Sequence, residues 1–186
     1  MNPIGKRLAV GVLSLVVLTG MGGLVFFKYA QHRVAERLQA PQLDFVDMTA
    51  PDMTFHTLDG TTRHVGDYKG KVVFLDLWGT WCVQCVAEMP TVQKLFTRFR
   101  GDPKVVFLIV SRMDTPDTVQ RYARRNKLDL PFFVMQDNEV PDSMYLHQYP
   151  ATFIYSKDGR IAAQHAGGAD WSDESVATYL VGLENR

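Results

Sequence analysis

The 186-residue chain predicts an α/β fold with a mixed central β-sheet flanked by helices. Two patterns predict it. Buried apolar runs alternate with stretches of helical spacing, which calls for parallel strands joined by helical crossovers, and terminal hairpin strands add antiparallel partners. Residues 54–65 read as a hairpin around Asp59-Gly60, and 72–77 (VVFLDL) and 105–110 as buried strands. Residues 132–135 and 152–155 supply further strands. After the first buried strand, Met89, Val92, Leu95, Phe96 and Phe99 recur at helical spacing within residues 82–100, which end in Gly101 and Pro103. Pro90 falls inside this helix and predicts a kink, because proline removes an amide hydrogen bond. Thr115-Pro116 opens a second helix to about Lys127. Lys157-Asp158-Gly159-Arg160 turns a last hairpin ending near His165, and Ser172 caps a C-terminal helix to Leu183.

Both cysteines lie in one cluster, Trp81-Cys82-Val83-Gln84-Cys85, between the apolar strand and the amphipathic helix. Cys82 therefore falls at a helix N-terminus, where unpaired amides and the helix dipole stabilise a thiolate. Cys85, one turn inside, faces the same side. The placement points to thiol–disulfide exchange, with Cys82 as nucleophile and Cys85 as the resolving thiol. A structural zinc site would need two further ligands, and His32, His56, His64, His147 and His165 lack ligand-like spacing. A purely structural disulfide would close a very small loop, where cross-linking gains least. No metal or other cofactor is called for.

Two carboxylates qualify as proton acceptors for the exchange. Asp76 interrupts the apolar strand six residues before Cys82, and a carboxyl buried there has its pKa raised toward neutrality. Glu88 stands three residues after Cys85, on the same helical face. An exposed first-turn glutamate favoured by the helix dipole is the alternative for Glu88.

Over roughly residues 50–183 the sequence resembles the thioredoxin-like proteins and, within them, the membrane-anchored TlpA/ResA-type disulfide reductases. The most specific stretch is Phe74-Leu-Asp-Leu-Trp-Gly-Thr-Trp-Cys-Val-Gln-Cys-Val-Ala-Glu-Met-Pro90. Ala50-Pro51-Asp52, Leu58-Asp59-Gly60 and Asp67-Tyr68-Lys69-Gly70-Lys71 support it on one side, Val110-Ser111-Arg112-Met113-Asp114 and Tyr149-Pro150-Ala151-Thr152-Phe153 on the other. The resemblance implies a thioredoxin fold with an added N-terminal β-hairpin and a central insertion. It also implies a cis Pro150 that exposes the backbone of Tyr149 to an extended substrate. Asp76 matches the buried aspartate of ordinary thioredoxins, and Glu88 the acidic residue of the TlpA/ResA type. Trp81, directly before Cys82, is the aromatic placed for partner contact; Trp78 is equally a core residue, and Trp171 carries no comparable signal.

The implied activity is reduction of disulfides in extracytoplasmic proteins, with apocytochrome c among the substrates and a membrane dithiol protein as electron donor. A disulfide oxidant or isomerase, and a copper-delivery protein using two soft thiolates, are the alternatives. Val83-Gln84 departs from the proline or histidine common in the family. Neither residue supplies positive charge, which argues against a strongly acidic thiol. The proline-headed motif of peroxidatic cysteines is missing.

Residues 8–27 carry no charge and span about 30 Å as a helix, enough for a bilayer core. The run exceeds the usual signal-peptide core and no clear small-x-small site follows it, so an uncleaved anchor is expected. Lys6 and Arg7 before it are balanced by Lys28, Arg33 and Arg37 after it, so charge alone does not set orientation. The resemblance places the domain in the periplasm or its equivalent. A cytoplasmic N-terminus (1–7), an anchor (8–27), a juxtamembrane linker (28–49) that begins as a helical turn and continues extended, and a thioredoxin-like domain (50–186) follow. Zero formal net charge gives no reason to expect nucleic-acid binding, and Arg121, Arg124, Arg125 and Lys127 read as a solvated helix face.

Overall fold

A computed structural model of the chain describes residues 21–23, 25–136, 139–144 and 146–186. Its centre is β4 (Val72–Trp78), every residue of which is buried. Side chains alternate across a strand. Val73, Leu75 and Leu77 pack on one face with Met53, Phe55 and Phe153, while Val72, Phe74 and Trp78 pack on the other with Cys85, Met89, Val92 and Trp171. Asp76 shares the second parity and so faces the helix that carries the cysteines.

That helix is α2 (Val83–Arg98), which runs through Pro90 without a break and leads into β5 (Val105–Arg112). β4 and β5 are parallel, as are β5 and β6 (Phe132–Met135), with α3 (Pro116–Asn126) between the latter two. β7 (Ala151–Tyr155) and β8 (Arg160–Ala166) run antiparallel on the other side of β4, and α4 (Glu174–Glu184) follows. The hairpin of β2 (Thr54–Thr57) and β3 (Thr62–His64) joins the edge beside β6. The eight strands lie in the order β1-β8-β7-β4-β5-β6-β2-β3. This is the expected mixed sheet flanked by helices, with the β2–β3 hairpin at its edge.

Several details differ from the sequence expectation. The segment read as an extended linker contains β1 (Asp44–Thr49), which pairs antiparallel with β8 and closes the far edge of the sheet. Ahead of it, where a helical turn is expected, residues 25–35 are helical (α1), and Phe27, Ala30, Gln31, Val34 and, just beyond the helix, Leu38 are half-buried at helical spacing. The cap of α4 is Asp173, whose carboxylate accepts from Ser175 N at 2.9 Å. Ser172 does not serve, because its hydroxyl donates to Asp170 at 2.6 Å. The run at 8–27 lies largely outside the described residues, and residues 1–7 wholly so. Among the described residues no helix is long and apolar enough to cross a membrane.

Candidate active site

β4 ends at Trp78, and the three residues that follow turn the chain into α2 with Cys82 as its N-cap in an extended conformation. Cys82 and Cys85 are joined as a disulfide with Cα atoms 5.2 Å apart, and Cys82 Sγ also accepts from Cys85 N at 3.2 Å. The two sulfurs are not equivalent. Cys82 retains 8% exposure and Cys85 none.

The loop before Cys82 is clamped to the end of β5. Thr80 donates to Asp114 from both its amide and its hydroxyl, each at 2.8 Å, and Ser111 Oγ donates to the same carboxylate at 2.6 Å. Trp81 Nε1 donates to the carbonyl of Arg112 at 3.1 Å. The indole thereby folds over Gly79, where an added Cβ would stand only 2.4 Å from Trp81 Nε1. Only glycine fits that approach. Asp114 lay within a motif of the sequence, but its bond to Thr80 spans 34 positions and carries no local signal.

Opposite the loop, the Tyr149–Pro150 peptide is cis, as the resemblance implies. Tyr149 packs edge-on to Trp81 with ring centroids 5.8 Å apart. The Arg112 guanidinium lies 4.9 Å from the Tyr149 ring centre and donates to its hydroxyl. Trp81 is half exposed and Met113 more so, leaving apolar surface beside the disulfide. Trp78 is fully buried against Tyr122 and Phe132, which makes it a core residue.

Asp76 on β4 and Glu88 on α2 are both fully buried and close enough for the charge of one to act on the other. Thr152 Oγ1 donates to Asp76 Oδ1 at a long 3.4 Å, and burial pushes this carboxyl up to about 7. Glu88 is no exposed first-turn residue. Its Oε2 accepts from Ala169 N and Trp171 Nε1, each at 2.9 Å. Burial holds its pKa well above the usual carboxylate range, the nearby Asp76 charge adds to this, and the two hydrogen bonds oppose it. Asp76 Oδ2 and Glu88 Oε1 have no hydrogen-bond partner among the described residues. Trp171, unremarkable in the sequence, is thus a principal partner of Glu88, 83 positions away.

Comparison with known proteins agrees with this geometry. Residues 46–164 match the AhpC/TSA family. Over 150 residues, 81% of either chain, the sequence is 29% identical to the thiol-disulfide oxidoreductase ResA of Geobacillus thermodenitrificans. Over 119 residues, 64% of this chain and 67% of the relative, it is 30% identical to the ResA of Halalkalibacterium halodurans. Among solved structures, a candidate thiol-disulfide oxidoreductase of Bacteroides vulgatus superposes with a TM-score of 0.63 at 29% identity, covering 75% of this chain and 97% of the other. A secreted thiol-disulfide isomerase of Corynebacterium glutamicum shares the fold with a TM-score of 0.62 at 23% identity, over 77% and 92% of the two chains. With a redox disulfide in which Cys82 keeps the only exposure, and with this kinship, the chain belongs to the AhpC/TSA family as a ResA-like thiol-disulfide oxidoreductase of thioredoxin fold.

Proposed function

We propose that the protein is a reductase of protein disulfides. The observation that carries this reading is the pair of buried carboxyls, Asp76 and Glu88, the latter three residues from the fully buried Cys85 on α2, with Cys82 the less buried sulfur. Burial among uncharged groups disfavours the Cys85 thiolate, so the dithiol is not held in its reduced form as it is in a strong oxidant. Val83 and Gln84 add no positive charge to offset this.

In the reduced protein the Cys82 thiolate, favoured by the first-turn amides of α2, attacks one sulfur of a substrate disulfide. The S–S bond breaks, one substrate thiolate leaves, and Cys82 is joined to the other substrate sulfur. Cys85 then gives its proton to the ionised form of Glu88, Asp76 keeping its own proton, and the Cys85 thiolate attacks Cys82 Sγ. The second substrate thiol departs, taking up a proton, and the Cys82–Cys85 disulfide remains. Two electrons have passed to the substrate, and a donor dithiol must return them. Trp81, Tyr149 and Pro150 form the rim on which the substrate chain would lie.

The uncharged run at 8–27 serves in this reading as a membrane anchor, with residues 1–7 cytoplasmic and the domain in the periplasm or its equivalent. The substrates are then extracytoplasmic proteins, apocytochrome c among them, and the donor is a membrane dithiol protein. Trapping tests the division of labour. Cys85→Ser should accumulate a mixed disulfide through Cys82 when the reduced protein meets a disulfide-bonded protein, and Cys82→Ser should accumulate none. Equal trapping by both variants would contradict the assignment.

A further inference from the structure

The loop at 167–171 has two sides. Its inner side holds Glu88 through Ala169 N and Trp171 Nε1, and Thr91 braces it by accepting from Trp171 N at 3.0 Å and donating to Ala169 O at 3.3 Å. Its outer side is held by the segment ahead of β1. Asp170 N donates to Gln39 O at 2.7 Å, so successive residues of the loop point alternately to Glu88 and to this segment. A Cβ added to Gly168 would stand 3.3 Å from Leu38 Cδ2 and 3.4 Å from Gln84 Cβ, which places the loop between Leu38 and the turn joining the two cysteines. His165 Nδ1 lies 2.8 Å from Gln42 O. The alternating bonds make the loop a wall one residue thick between Glu88 and the outer segment.

We propose that residues 38–42 are a positioning element for Glu88, pressing the 167–171 loop inward so that the carboxyl stays dry and fixed beside Cys85. The inference rests on the reading of Glu88 as the proton acceptor of the resolving step. Without the outer segment the loop would keep only its inner bonds, and water would reach the Glu88 carboxyl. Desolvation is the largest influence on Glu88, so its titration would move down toward that of an ordinary glutamate. Other titratable or charged groups around it are Asp76 from β4, Tyr122 from α3 and the two cysteines on its own helix. His165 stands against Trp171 with ring centroids 5.6 Å apart, and Arg37 lines the outer cleft with Gln84 and Gly168.

The test uses the full chain and the pH dependence of the Cys82/Cys85 reduction potential in wild type, Leu38→Ser, Gly168→Ala, Glu88→Gln and the Leu38→Ser/Glu88→Gln double variant. Amide exchange at Asp170 is followed alongside. Leu38→Ser and Gly168→Ala should move the inflection assigned to Glu88 down by about one pH unit or more, part of the roughly 3–5 units full burial imposes. Asp170 should exchange faster in both, and Leu38→Ser should have no effect in the Glu88→Gln background. An unchanged profile in both single variants, while Glu88→Gln alters it, would overturn the inference and leave the proton-acceptor reading standing. A Leu38→Ser effect persisting in the double variant, or unchanged exchange at Asp170, would overturn it too. A Glu88→Gln profile identical to wild type would remove the reading itself and the inference with it.

Discussion

A glutamate three residues after Cys85 has two possible fates, solvent or core, and the fold chooses the core because the 167–171 loop and Trp171 close over it. Burial turns an ordinary acid into a group that accepts a proton at higher pH than usual, which suits it to the step in which Cys85 must lose one. Glu88→Gln should slow resolution of the mixed disulfide by about 10²-fold, the lower end of general acid–base contributions. Stopped-flow measurement with a small disulfide separates this from the initial attack by Cys82, which should change much less. Asp76 makes a different prediction. Its pKa is about 7 in the fold against an ordinary 3.8, so between these values the native state holds a proton that the unfolded chain has released. This contribution to stability is fully present below about pH 4 and is lost as pH rises through about 7. Asp76→Asn should flatten that decline, checked by denaturant unfolding of the oxidised protein between pH 4 and 8.

At the scale of elements, the site depends on the join between β4 and α2 being held rigidly to the end of β5. Asp114 holds it through three hydrogen bonds, two of them from Thr80. Asparagine at 114 can accept with one atom only, leaving buried donors unsatisfied, so Asp114→Asn should destabilise by about 1–3 kcal/mol. It should also slow alkylation of reduced Cys82; an unchanged rate and midpoint would show that the clamp is dispensable. β4, α2 and the cysteine turn were legible in the sequence because an apolar run followed by helical spacing is a local signal. β1 was not. Its Asp44 and Asp47 and its short alternation look like a linker, and it becomes a strand only by pairing with β8. Trp171 and Asp114 escaped for a related reason, since their partners lie 83 and 34 positions away and only the folded sheet brings them together. Ser172 as cap was displaced by its neighbour, Asp173, once Asp170 had taken its hydroxyl.

At the scale of the molecule, one redox pair sits at the end of a sheet packed on both faces, with two buried carboxyls inside and an aromatic rim outside. The segment before β1 is part of this unit, since Gln42 O lies 2.8 Å from His165 Nδ1 on β8 and Gln39 O accepts from Asp170 N in the loop around Glu88. Direction of electron flow is the central claim, and it turns on how strongly the fold stabilises the reduced pair. Equilibration of Cys82 and Cys85 with a thiol redox buffer at pH 7, followed by tryptophan fluorescence, measures that quantity directly. A potential near about −270 mV, in the thioredoxin range, is the value predicted for a reductase whose buried Cys85 has no nearby positive charge to favour its thiolate. A potential near about −120 mV would belong to a disulfide oxidant and would contradict it.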